Sequence, residues 1–139
     1  MNHLIEDVVE ACILGPAPQM IRICARYASD DPLALTLGFP ARASVRPCED
    51  VETEWTAARD LFAAGLEALS GHGDIRVGPW EEGYTQIQIH GTEGCALVVL
   101  RTDELARFLD RTYRAVPAGE ESSFIDCPDT VAELLGDRS

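Results

Sequence analysis

Lysine is absent from this chain of 139 residues, so all 11 basic side chains are arginines, set against 24 aspartates and glutamates. The formal net charge is −13. Such a surface repels phosphate backbones, whose binding depends on basic side chains that neutralise phosphates. The charge balance therefore argues against a nucleic-acid partner unless a local basic patch overcomes the mean field.

Long apolar runs are also missing, which predicts no direct membrane insertion. The N-terminal stretch MNHLIEDVVE carries acids where a secretory signal would carry positive charge, so we expect a cytoplasmic protein. The five cysteines are an odd number and no two have C-x-x-C spacing, unlike a short secreted disulfide scaffold. We therefore expect reduced thiols, several of them packed as small apolar side chains.

Familiar catalytic and ligand motifs are missing as well. His3, His72 and His90 are far apart in the sequence, with no clustered metal-ligand spacing. The glycines of Gly71-His72-Gly73-Asp74 follow a predicted helix, whereas a phosphate loop precedes one. The sequence thus predicts no catalytic residues, no metal site and no cofactor. An enzyme with a site assembled from distant residues stays open as an alternative.

What the chain does have is clear strand and helix periodicity. Alternating apolar side chains predict strands over 4–14, 20–27, 33–39, 51–57, 74–80, 84–90 and 95–101. Helical spacing predicts one helix from Ala58 to Leu69, a second capped by Thr102 or Asp103, and a short third over roughly 129–135. The order ββββ-α-βββ-α-α predicts an α+β fold with antiparallel sheets packed against helices.

The stretch WTAARDLFAAGLEALSGHGDIRVGPW, residues 55 to 80, concentrates the candidate functional residues. Its apolar stripe predicts core or subunit interface, and Arg59 is expected to form a salt bridge or an interface contact. Asp60 suits a helix N-terminus. Gly71 and Gly73 are expected to make a turn that the Asp74 side chain holds by bonding backbone N–H groups. The residues singled out as structural motif or interface are Trp55, Arg59, Asp60, Leu61, Phe62, Leu66, Gly73, Asp74 and Pro79.

A basic stripe is the one feature that favours nucleic acid. Arg22, Arg26, Arg42 and Arg46 could line one sheet face, with Tyr27 beside them. The net charge and the lack of interleaved exposed aromatic residues argue against this interpretation.

Several motifs together resemble one known family. They read W-x-x-A-R-[DE]-L-[LF]-x-x-G-L, then G-x-G-D-[IV]-x-V-x-P, then F-L-x-R-T and V-P-x-G-E, and this pattern is similar to the SsgA/SsgB-like sporulation and cell-division proteins of actinomycetes. The matching residues are Asp31, Pro32, Trp55, Ala58, Arg59, Asp60, Leu61, Gly65, Leu66, Gly71, Gly73, Asp74, Val77, Pro79, Phe108, Leu109, Arg111, Thr112, Val116, Pro117, Gly119 and Glu120. The family usually has an aromatic residue at the place of Ala57 and V-W-P where this chain reads Val77-Gly78-Pro79-Trp80.

The resemblance implies a non-enzymatic adaptor that positions septum formation or cell-wall remodelling during sporulation. It implies divisome or cell-wall partners, such as the tubulin-like division GTPase FtsZ or another SsgA/SsgB-like protein. It also implies a fold similar to the Whirly proteins, a homo-oligomer that is a trimer, and recruitment from the cytoplasm to division septa. A single-stranded nucleic-acid-binding module of Whirly-like fold is the alternative.

The chain is expected to divide into a single SsgA/SsgB-like domain over 1–121 and a C-terminal tail over 122–139 with a short helix. In that tail Val131, Leu134 and Leu135 form an apolar edge. Such an edge can dock on the chain's own body or on a neighbour, or it can enter a groove of a partner.

Overall fold

The computed structural model describes residues 4–41, 45–92 and 94–124. Its strands are β1 (Leu4–Leu14), β2 (Gln19–Ala28), β3 (Ala34–Pro40), β4 (Val51–Ala58), β5 (Ile75–Pro79), β6 (Tyr84–Gly91) and β7 (Gly94–Arg101). The helices are α1 (Arg59–Gly65), between β4 and β5, and α2 (Thr102–Ala115), after β7, and a 3-10 turn follows at Glu121–Phe124. The predicted α+β class and all seven strands are confirmed. The predicted tail helix, with Val131, Leu134 and Leu135, lies outside the described residues.

All seven strands belong to one antiparallel sheet, in the order β4-β3-β2-β1-β7-β6-β5. Two meanders meet along β1, which pairs Val9 with Ile23 of β2 on one side and Ala11 with Leu100 of β7 on the other. Within each meander, hairpin connections place consecutive strands side by side, whereas the pairing of β1 with β7 joins strands that are far apart in sequence.

Alternation along the strands divides the sheet into a helix side and an opposite side. On the helix side, Ile23, Ala25 and Tyr27 of β2 are fully buried, as their spacing predicts. The helices add Phe62 from α1 and the predicted inner face of α2, of which Leu105, Phe108, Leu109 and Thr112 lie in the helix and Val116 directly follows it. Within the described residues, no helix is long and apolar enough to cross a membrane.

Helix α1 ends at Gly65, earlier than the predicted Leu69. The helix lies so close to β5 that a Cβ on Gly65 would sit 2.3 Å from Cγ1 of Val77. Beyond it the chain turns so that Ser70 exchanges both backbone hydrogen bonds with Val77, at 2.7 and 2.9 Å. This pairing draws the segment onto the sheet edge, and the apolar spacing of Leu66 and Leu69 therefore does not continue the helix.

The predicted cap of α2 is wrong. The residue before the helix is Arg101, whose side chain makes no capping bond. The Thr102 hydroxyl instead lies 2.7 Å from the Thr85 hydroxyl of β6, so this polar group ties the helix to the sheet.

The sheet curls strongly. Although β4 forms one edge of the sheet, the Trp55 ring reaches the turn between β6 and β7, where a Cβ on Gly91 would lie 3.6 Å from Trp55 Cη2. The helices cover the part of the helix side near Tyr27 and Val77, and the part near Trp55 is left open.

Candidate functional site

Arg59 is the most deeply buried charged residue of the motif, with a side chain 1% exposed. It follows β4 at the first position of α1, which carries it beneath the end of α2. Nη1 donates to the carbonyls of Thr112 at 3.1 Å and Val116 at 2.8 Å, and Nη2 donates to the Glu121 carboxylate at 2.8 Å. The guanidinium therefore neutralises both the C-terminal carbonyls of α2 and an acid of the following turn.

Two tyrosines enclose this guanidinium, with Arg59 Cζ 4.0 Å from the Tyr113 ring centroid and 5.0 Å from that of Tyr27. The Tyr113 hydroxyl donates to Asp60 at 2.7 Å. Burial, followed by this hydrogen bond and the Asp60 charge, raises the pKa of Tyr113 well above its usual range. We call Arg59, Tyr27, Tyr113, Asp60 and Glu121 the Arg59 cluster. It joins α1, α2 and the 3-10 turn around a guanidinium that is almost completely buried.

The turn after α1 uses glycines with positive φ, 111° at Gly71 and 102° at Gly73. A Cβ on Gly71 would lie 2.6 Å from the Ile75 carbonyl oxygen, whereas a Cβ on Gly73 would meet nothing within 4 Å. The prediction that the Asp74 side chain holds this turn is wrong for the part of the chain described. Instead the Asp74 backbone carbonyl accepts a 2.7 Å bond from the His90 N–H, and the exposed carboxylate bonds to none of the described residues.

An open groove of about 840 Å³ lies where the helices leave the sheet uncovered. Its apolar lining comes from β1, β3, β4, β6 and β7: Ile13, Phe39, Trp55, Ile89, Ala96 and Val98. The rim is polar, with Thr53 on β4 and, across the groove, Asp74 before β5, His90 on β6 and Thr92 in the β6–β7 turn. We call this the Trp55 groove, and neither helix contributes a lining residue to it.

The described lining of the Trp55 groove contains few ionisable side chains. Asp74 is the only acidic or basic side chain among its described lining residues apart from His90. His90 and Cys95 are cross-strand partners of β6 and β7, but no hydrogen bond joins them in the described structure. An activated cysteine is normally within hydrogen-bond reach of its base, so the described structure gives no positive sign of a nucleophile–base pair here.

The remaining motif residues pack in the core or stabilise the sheet. Phe62 is completely buried in the core, and Trp55, Leu61 and Leu66 pack against the core from partly buried positions. Pro79 ends β5, where its carbonyl accepts a 2.9 Å bond from Gln86. The motif is therefore split: Arg59, Asp60 and Phe62 serve the helix-covered end, and Trp55 and Asp74 lie at the groove.

Two arginines of the predicted basic stripe, Arg26 and Arg46, are paired with acids. Arg26 donates to Glu6 at 2.7 Å and lies 4.0 Å from Glu54, and Arg46 pairs with Glu49 at 3.1 Å. Arg42 lies outside the described residues. Arginines held by neighbouring carboxylates are poor ligands for a phosphate backbone, because binding must first break these pairs.

The expectation of reduced thiols is wrong for two cysteines, because Cys24 and Cys48 form a disulfide with a Cα–Cα distance of 5.0 Å. The bond fastens the loop before β4 across the opposite side of the sheet, where Arg26 also donates to the Cys48 carbonyl at 3.2 Å. Glu6 lies beside the two sulfurs, with the three ligand atoms within 4.8 Å of one another. Sulfurs bonded to each other are not thiolate ligands, so the oxidised cluster does not provide a metal site.

Sequence reasoning missed most of the groove. Alternation identifies Phe39 and Ile89 as inward-facing, but it does not reveal which end of the sheet the helices leave uncovered. The disulfide gave no signal either, because 24 residues separate its cysteines.

The fold and this site define an α+β protein with a solvent-open apolar groove, and comparison with known proteins identifies the family. The family model described as Streptomyces sporulation and cell division protein, SsgA, matches residues 21–121. The chain belongs to the SsgA family, which confirms the resemblance found in its sequence.

The similarity extends over nearly the whole chain. SsgB of Frankia casuarinae, a sporulation-specific cell division protein, is 36% identical over 133 residues, which cover 94% of this chain and 89% of that protein. SsgB of Thermobifida fusca is 35% identical over 124 residues, covering 87% and 84%. The solved T. fusca SsgA-like structure has a TM-score of 0.79 at 30% identity, covering 98% of this chain and 96% of that one.

Proposed function

We propose that this protein is a non-enzymatic adaptor in sporulation-specific cell division, which helps to position septum formation or cell-wall remodelling through protein–protein contacts. The near-full-length likeness to sporulation-specific cell division proteins carries this proposal. The open Trp55 groove supports it, since an adaptor needs a recognition surface and this one holds no hydrogen-bonded nucleophile–base pair among the described residues.

The partners in this proposal are FtsZ or another SsgA/SsgB-like protein, met at division septa from the cytoplasm. The test is co-sedimentation of the purified protein with assembled FtsZ polymers at physiological salt. Saturable pelleting of folded protein supports direct recruitment. A folded protein that stays in the supernatant, both alone and with a second family member added, contradicts the partnership.

Self-association is part of the same proposal, with a trimer suggested by the family resemblance. The opposite side of the sheet supports it, because Met20 is 71% exposed and Val8 is 40% exposed on neighbouring strands. Exposed apolar residues on an open sheet face suit an interface between copies, although the Glu10–Arg22 pair of the register lies between these two. Sedimentation velocity of the wild type and of a Met20→Glu variant tests this, and a wild-type monomer at all concentrations overturns it.

The same purified protein tests the nucleic-acid alternative of Whirly-like fold. Titration with a labelled single-stranded oligonucleotide would give binding that weakens steeply with salt if phosphates are contacted. We expect no such binding, because acids pair with Arg26 on the sheet face that would serve as the platform and with Arg46 in the loop before β4.

A further inference from the structure

The Trp55 groove combines an apolar floor with one unneutralised charge. Its floor is the uncovered end of a sheet whose other end is closed by α1 and α2. Asp74 lies on the rim, and within the described residues its carboxylate makes no hydrogen bond or ion pair. An incoming group that fits must therefore bring apolar surface for the floor and positive charge for the rim.

We propose that the groove holds a short segment of a partner protein that carries apolar or aromatic side chains next to an arginine or lysine. This inference rests on the proposed adaptor function, for which it names the kind of partner segment. The charge pattern favours this occupant, because Asp74 is the rim's only acidic or basic side chain besides His90 in the described lining, and the whole chain carries −13. A basic residue gains from both the local contact and the long-range field.

The dimensions agree with a short segment. At about 840 Å³ the groove lies within the range of about 300–1,000 Å³ typical of ligand sites, which suits a few side chains rather than a folded domain. Trp55 forms one wall, with a half-buried ring that touches the β6–β7 turn. Tryptophan in such a position offers a large rigid contact, and its indole N–H, which bonds to no acceptor among the described residues, can donate to a peptide carbonyl.

A displayed library of random nine-residue peptides, sorted on the purified full chain, tests the proposal. Each enriched peptide is then measured by fluorescence polarisation with its basic residue kept, or replaced by glutamine or glutamate. Peptides in the groove should lose binding to Ala96→Phe, because the added ring occupies the floor. Asp74→Asn should weaken the basic version roughly two- to five-fold and leave the glutamine version unchanged.

Glu82→Gln is the matched control, since it removes one acidic charge from the exposed β5–β6 turn, outside the groove lining. If Ala96→Phe does not fold, Thr53→Arg serves instead, because it places a repelling charge on the rim without altering the floor. The proposal is overturned if no enriched peptide depends on Ala96 or Thr53, or if those that do show no preference for a basic residue.

These outcomes separate the groove from the adaptor function. Pelleting with FtsZ that persists in Ala96→Phe would leave the function standing and reject the groove as its contact. Groove-dependent binding of basic peptides without any pelleting would keep the groove inference and reject FtsZ as the partner.

Discussion

The C-terminal half of β4 leads to two regions that treat charge in opposite ways. At its C-terminal end, Arg59 is buried and its charge is balanced by two carbonyls and the Glu121 carboxylate. Three residues before its end, Trp55 borders a groove whose Asp74 carboxylate has no partner in the described structure. A balanced buried charge holds elements of the fold together, whereas an exposed unbalanced one is available to another molecule. One sequence motif thus supplies both a structural clamp, the Arg59 cluster, and a proposed recognition surface, the Trp55 groove.

The largest effect should come from removing the clamp. Arg59→Met leaves a buried carboxylate and two helix carbonyls without their donor, and breaking a buried pair in this way costs about 3–5 kcal/mol. We expect the free energy of unfolding, measured with urea, to fall by about this amount. Arg59→Lys is the control, because it keeps the charge but cannot reach all three acceptors. Near-wild-type stability of Arg59→Met would contradict the clamp.

The disulfide on the opposite side of the sheet should rank next. Cross-linking a loop of 24 residues restricts the unfolded chain and is worth about 3 kcal/mol. Cys48→Ala should therefore unfold at a lower temperature than the wild type, and a reducing agent should lower the wild-type melting temperature to near that of the variant. Cys95→Ala, which changes an exposed free thiol, should leave the melting temperature unaltered.

The glycine turn should give a smaller loss. Gly73→Val forces a β-branched side chain to a φ of 102°, and strain of this kind costs about 1–3 kcal/mol. Calorimetry should show a lower melting temperature, with a larger drop for Gly71→Val, whose Cβ would also collide with the Ile75 carbonyl. An unchanged Gly73→Val would mean that the turn rearranges at no cost, contrary to its role as a fixed link between α1 and β5.

The stability that the Glu121–Arg59 pair contributes should also depend on pH. Hydrogen bonds from its own backbone N–H and from Arg59 hold the pKa of Glu121 below its ordinary 4.5. A lowered carboxyl pKa gives stability that is present above the unfolded value and is lost as pH falls through the folded value. Between about pH 6 and about pH 3, the melting temperature should therefore fall less in Glu121→Gln than in the wild type. Parallel curves would contradict the pairing with Arg59.

Local pattern was enough to predict the strands and most of the core, because alternation and helical spacing are properties of neighbouring residues. It predicted Phe62 and the inner face of α2 for that reason. It did not predict that Glu121 meets Arg59, since 62 residues separate them and only the packing of α2 brings them together. Local pattern did not predict the Trp55 groove either, because the groove exists only as a result of where α1 ends and how strongly the sheet curls.

The smallest effect on stability should come from removing the Asp74 charge of the Trp55 groove. This variant therefore tests most directly whether the groove and the Arg59 cluster have different roles. Asp74→Asn alters an exposed side chain with no partner among the described residues, and such surface changes usually stay within about 0.5 kcal/mol. Urea unfolding should thus leave it indistinguishable from wild type, although its discrimination between basic and neutral peptides should disappear. Arg59→Met should show the reverse at a temperature where it is still folded: reduced stability with peptide discrimination retained. If Asp74→Asn instead unfolds as readily as Arg59→Met, its carboxylate supports the fold, and the division of the motif into a structural part and a recognition part is incorrect.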